Sequence, residues 1–84
     1  MPRYFFHSLD GSVDRDTEGT ELADWRQARK HAVLYASALL SDDPDVVWHG
    51  DDFRIEVTDA EQAILFTVVV FAIDGTALPK QPRS

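Results

Sequence analysis

No cysteine occurs among the 84 residues, which excludes disulfides, thiolate metal sites, iron–sulfur ligation and thiol catalysis. Basic residues are scarce too: eight Lys and Arg stand against 15 Asp and Glu, a formal net charge of −7. A surface for duplex or other phosphate-rich partners needs clustered cations to release counterions, and this balance argues against one. No apolar run reaches the ~18 residues of a membrane helix, and the first residues lack the pattern of a secretory leader. A cytoplasmic location is the expectation. The four glycines form no phosphate-cradling loop. What is present is 44% hydrophobic and 27% charged residues, the mixture of a folded domain rather than a disordered chain.

The length allows one small domain. A domain of this order hides only roughly 60% of its unfolded surface, so its core is thin. Residues 74–84 carry Gly75, Pro79 and Pro82 and few large apolar side chains, the composition of a flexible C-terminal tail. The expected folding unit is a single α+β domain over residues 1–73. Natural domains of roughly 70 residues often lean on oligomerisation.

Along the chain, residues 1–9 open with Arg3-Tyr4-Phe5-Phe6-His7 and stop at Asp10-Gly11. This is a strand ending in a tight turn, because Asp-Gly supplies positive-φ positions. Residues 12–21 are polar; 12–16 can pair briefly with the first strand before the chain loops through Gly19. Asp24 then opens a helix, with Gln27 at capping-box spacing. Trp25, Ala28, Ala32, Tyr35, Ala36 and Leu39 share one stripe, and Val33 and Leu40 widen it. Asp42-Asp43-Pro44 ends the helix, since Pro cannot continue the hydrogen-bond ladder. Residues 46–50 are a connector covering an end of the core. Phe53–Thr58 alternates apolar and polar as a half-buried strand does. Residues 59–62 turn the chain, and residues 63–71 are β-branched and aromatic. The expected fold is α+β: strand–strand–helix–strand–strand, with one helix packed on a four-stranded, mainly antiparallel sheet. Strand order stays open. Apolar content favours the first and last strands in the middle, whereas antiparallel direction places the first strand beside the third.

The last strand holds a conflict. Strand 53–58 needs one dry face, yet residues 64–71 are apolar on both, Thr67 excepted. An even hairpin loop places Ile64, Phe66, Val68 and Val70 with Phe53, Ile55 and Val57 on the helix side. Leu65, Val69 and Phe71 then point away, beside Arg54, Glu56 and Thr58. Leaving each of those three wet forgoes about 1.5–3 kcal/mol of burial, and a contiguous exposed patch normally marks an interface. The expectation is a homodimer, or another sheet-to-sheet association, through Leu65, Val69 and Phe71. The alternative is that the 46–50 connector or the chain from Ala72 folds back over this face.

Chemistry has few candidates. Asp14-x-Asp16-x-Glu18-Gly19 has the alternating acids and glycine that open a calcium loop. However, the twelfth place, which should hold a bidentate Glu, is Trp25, and the eighth is Glu21. A divalent-cation module using Asp14, Asp16 and Glu18 is the alternative function. The competing reading pairs these acids with Arg26, Arg29 and Lys30, cations that oppose the dipole of the helix's first turns. His7, His31 and His49 lack metal spacing. Ser8, Ser12, Ser37 and Ser41 lack a nucleophile-elbow setting. Arg26, Arg29 and Lys30 with Tyr4, Phe5 and Phe6 are a weak basis for nucleic-acid binding, because nearby acids cancel the charge. No enzyme, no cofactor and no metal site is expected.

Three stretches carry a resemblance: Met1-Pro2-Arg3-Tyr4-Phe5-Phe6-His7 with Asp10-Gly11, then Asp16-Thr17-Glu18-Gly19-Thr20-Glu21-Leu22, then Arg54-Ile55-Glu56-Val57-Thr58-Asp59. Together they resemble a family of short bacterial proteins of unknown function, opening M-P-R-Y-F-F-H-x-x-D-G and continuing D-x-E-G-x-E-L before an Ala- and Arg-rich helix. The likeness covers residues 1–71. It departs after Gln62, where relatives tend to carry a glycine in the turn, and in the tail. It implies a stand-alone bacterial domain and transfers no activity, cofactor or catalytic residue. The function expected is a small, non-enzymatic interaction or regulatory module that self-associates.

Overall fold

Seven elements follow one another in the computed structural model, which describes residues 1–49 and 52–79. They are β1 (Arg3–Leu9), β2 (Val13–Asp14), β3 (Thr20–Glu21), α1 (Trp25–Asp42), a 3-10 turn (Val46–Trp48), β4 (Phe53–Thr58) and β5 (Ile64–Val70). The strands form one antiparallel sheet in the order β2-β1-β4-β5, with β3 also paired to β1. The helix lies on one face, as an α+β reading requires.

β2 and β3 are two pieces of one edge strand. β2 pairs with Ser8 and Leu9, β3 with Arg3 and Tyr4. Between them, residues 15–19 stand against residues 5–7 and loop outward, so the sequence reading of a single short strand before the helix missed β3. The turn joining β1 to β2 uses Gly11 at φ 99°.

The helix begins where Asp24 Oδ1 accepts the amide of Gln27 at 3.0 Å. It ends at Asp42, with the Asp43 amide donating to the Leu39 carbonyl. Its inward residues are Ala28, Ala32 and Ala36, all buried against Tyr4, Phe6, Phe53, Ile55, Val57 and Val46. Three alanines a turn apart let the backbone sit close over β4, while Tyr35, Leu39 and Leu40 close the margins. Two members of the expected stripe do not join them. Trp25 and Val33 are 47% and 53% exposed, because alanine-level approach leaves no depth for larger side chains at the stripe's flanks. Of the 46–50 connector, Val46 caps the core and Trp48 is exposed; Gly50 lies outside the described residues.

Strand order resolves in favour of direction over composition: β1 sits beside β4, and β5, the most apolar strand, lies at the edge. Antiparallel pairing to β4 through a short turn fixes β5 on one side, and β1 takes the other. Phe66, Val68 and Val70 face Val57, Ile55 and Phe53 as expected. Ile64 does not join the helix side. It pairs with Thr58, the register shifting past Leu65, so a bulge turns Ile64 to the outer face with 60% of it exposed.

Candidate functional site

Asp16 organises the loop between β2 and β3. Its Oδ1 accepts the amides of Glu18 and Gly19, both at 3.0 Å, and its Oδ2 accepts the amide of Phe6 at 3.1 Å. These bonds stand in for the ladder that the bulged loop interrupts. Partial burial pushes the Asp16 carboxyl up. The three amides, with a lesser Coulombic contribution from His7, outweigh it and hold the group below its ordinary value of 3.8. Gly19 is required here. It sits at φ 76°, and a Cβ on it would lie 2.8 Å from Arg3 Cγ and 3.0 Å from the Tyr4 carbonyl oxygen.

His7 ties this loop to β4. Its Nδ1 accepts the Asp16 amide at 3.0 Å, and its Nε2 lies 3.0 Å from Thr58 Oγ1. An amide donor at Nδ1 leaves the ring proton on Nε2, which donates to the threonine hydroxyl. His7 and Thr58 are both buried. They line an outer-face concavity of about 670 Å³ with Phe5, Glu56, Ile64 and the 15–17 loop. Both nitrogens of His7 and both oxygens of Asp16 are engaged in these bonds.

The acidic loop therefore does what neither sequence reading expected. Asp16 serves backbone amides, and Arg3 reaches the Glu18 carbonyl and the Glu21 carboxylate. Among the described residues, Arg26, Arg29 and Lys30 form no ion pair with these acids, and no group of three His, Cys, Asp or Glu is placed to hold a metal ion. His7 lies on the outer face and His31 packs on Phe6 from the helix, 4.5 Å between ring centroids, so the histidines are not brought together. Tyr4 and Phe6 belong to the core.

Leu65, Val69 and Phe71 are 43%, 54% and 71% exposed. Ile64, 60% exposed, extends the patch in a way the sequence reading did not anticipate, and Ile73, beyond the end of β5, is 77% exposed. The bulge that turns Ile64 outward follows Gln62, a non-glycine residue at φ 68°, and the missing turn glycine was the one available signal. Residues 72–79 do not cover Leu65, Val69 or Phe71. On the adjoining strand, Arg54 Nε and Glu56 Oε2 lie 3.4 Å apart, so the outer face becomes apolar only towards β5.

On the opposite side of the molecule, the exposed flank of α1 gathers Arg26, Arg29, Lys30, Val33 and Leu34 around a shallow depression of about 720 Å³. Trp25 lies under two of these cations, its ring centroid 4.8 Å from the Arg26 guanidinium carbon and 5.2 Å from that of Arg29. Leu34 was missed in the sequence reading, although it lies opposite the alanines on the helical circumference.

Among the described residues no helix is long and apolar enough to cross a membrane. No functionally curated protein matches the chain, and no solved structure does. One family model matches: a domain of unknown function (DUF6894), over residues 3–72.

Proposed function

We propose that this chain, which belongs to that family of unknown function, is a non-enzymatic interaction module that associates with its own copies through β5 and the sheet face away from α1. The observation that carries this reading is the character of β5 as an edge. One side of the strand is bonded to β4 and the other is open. From Ile64 to Ile73 there is no charged residue, no proline and no glycine. Edge strands of monomeric proteins are usually blunted by such residues or kept very short. The contrast lies within this molecule, because the opposite edge is broken into two-residue pieces, bulged and charged.

The exposed apolar side chains of Ile64, Leu65, Val69 and Phe71 follow one another along this edge, and an exposed apolar patch of this kind normally marks an interface. The paired Arg54 and Glu56 keep the centre of the contact at β5 rather than mid-sheet, since burying them carries a desolvation cost.

Light scattering on wild type and Val69→Glu at micromolar concentration tests the reading. The substitution places a carboxylate on an exposed position, so the fold is retained, and the particle mass should fall by at least half. An unchanged mass, or a wild type that is already a monomer, overturns it.

A further inference from the structure

The helix carries cations in its first turns, behind the Asp24 cap, and acids at its end. A helix dipole favours acids in the first turn and bases in the last. Here the first turn holds no acid and the last no base. Instead Arg26, Arg29 and Lys30 crowd the N-terminal turns at spacings of three and four, where like charges repel. Asp42 ends the helix, Asp43 caps it and Asp45 follows. Among the described residues none of these six is in an ion pair. Among the described residues, the N-terminal cations have the Asp24 cap at the helix start, and the C-terminal acids have no basic partner.

The middle is apolar. Val33 and Leu34, 53% and 68% exposed, are the two central residues of the 18-residue helix. With Ala28, Ala32 and Ala36 turned to the sheet, the outward side presents Arg26, Lys30, Val33, Leu34, Ser37 and Ser41, all exposed. The C-terminal half of that side has only small residues, so another helix can approach it closely.

We propose that α1 is a second contact between copies of this chain, an antiparallel pairing of two helices about a two-fold axis at Val33 and Leu34. That operation lays the cationic half of each helix along the acidic end of its mate and closes the apolar centre on itself. A two-fold contact must be self-complementary, and this arrangement of charge, apolar centre and opposite charge satisfies the condition. It also brings cations to the C-terminal acids, whose own last turn holds no base. The stacking of Arg26 and Arg29 on Trp25 restrains the guanidiniums before contact, which lowers the ordering cost. A polyanion such as nucleic acid offers nothing to Val33 and Leu34 and is repelled by the net charge of −7. The contact lies on the opposite face from β5 and is independent of that association.

The experiment uses Val69→Glu protein, in which the β5 contact is removed, and follows mass by analytical ultracentrifugation against salt. The expected result is a dimer at low salt whose dissociation constant rises roughly tenfold on approaching molar salt, as the Debye length falls from about 10 Å towards 3 Å. In the same background, one variant reverses the cations (Arg26→Glu, Arg29→Glu, Lys30→Glu) and another the acids (Asp42→Lys, Asp43→Lys, Asp45→Lys). Each reversal suits its own helix dipole, so the helix is kept, while each variant alone should be monomeric. Mixed, the two should form a one-to-one heterodimer. A Val69→Glu protein that is monomeric at low salt, or reversed variants that dimerise alone or fail to pair when mixed, overturns the proposal. Failure of the β5 reading is a different result, namely that Val69→Glu leaves the wild-type mass unaltered.

Discussion

The amide of Asp16 donates to Nδ1 of His7 across 3.0 Å, and this one bond fixes the histidine's tautomer. With Nδ1 an acceptor, the proton lies on Nε2 and points at Thr58 Oγ1. The ring thus couples the bulged edge of the sheet to β4, with β1 between them. At neutral pH, ¹⁵N spectra of His7 should show an unprotonated Nδ1 and a protonated Nε2. The opposite tautomer would mean that the loop does not dock on the ring.

Asp16→Asn should destabilise the fold by about 1–3 kcal/mol, the range for removing a charged acceptor from backbone donors. The amide keeps one acceptor oxygen but turns a donor towards an amide that already donates. The pH dependence has a definite sign. Burial pushes Asp16 up, but the three amides and a lesser Coulombic contribution from His7 hold it below its ordinary value of 3.8. Its stabilisation is therefore complete above that ordinary value and is lost as pH falls through the lower folded value. Denaturation curves of the two proteins should differ by a constant amount from neutral pH to the ordinary carboxylate range and converge below it. Parallel curves at all pH values would assign the loss to packing instead.

Gly19→Ala should be costly. The residue is at φ 76°, and a Cβ meets Arg3 Cγ, Phe5 Cε2 at 2.9 Å and the Tyr4 carbonyl. Arg3 can move, but the carbonyl belongs to the strand. Left-handed strain of about 1–2 kcal/mol together with overpacking of about 1–3 kcal/mol gives a loss of about 2–5 kcal/mol in urea denaturation. Gly75→Ala is the control: nothing lies within 4 Å of its Cβ, so stability should stay within about 0.5 kcal/mol.

Much of this architecture was legible because local signals agreed. Asp24, the alanine spacing and Pro44 delimited α1, and the alternation from Phe53 to Thr58 gave β4 and its dry face. The errors came where a tertiary contact overruled a local pattern. Apolar content and antiparallel direction pointed to opposite strand orders, and the pairing puts β5 at the edge, because hydrophobicity alone does not distinguish an interior strand from an edge strand. Thr20 and Glu21 have no strand signature of their own and become β3 only because β1 lies alongside. Asp16 belonged to a metal-like spacing, yet its partners are amides, which leave no mark in a sequence. The exposed Leu65, Val69 and Phe71 followed from strand alternation alone, whereas Ile64 depended on a bulge that alternation cannot register.

Gln62→Gly should raise stability, which is unusual for a change to glycine. Gln62 occupies the left-handed region at φ 68° in the turn that reverses β4 into β5. Asp59 organises that turn, its Oδ1 accepting the amides of Glu61 at 2.8 Å and Ala63 at 3.0 Å. The Gln62 amide donates to the Asp59 carbonyl at 3.0 Å, so the backbone is held in place whatever the residue prefers. A non-glycine residue there costs about 1–2 kcal/mol. Glycine removes that strain but widens the unfolded ensemble, which costs about 0.4–1 kcal/mol. The Gln62 side chain is exposed, so no packing is lost. The net expectation is a gain of up to about 1.6 kcal/mol, read as a higher urea midpoint with an unchanged slope. A fall in the midpoint would show that the turn does not hold residue 62 in the left-handed region. The bulge that exposes Ile64, and with it part of the β5 surface, would then need another origin.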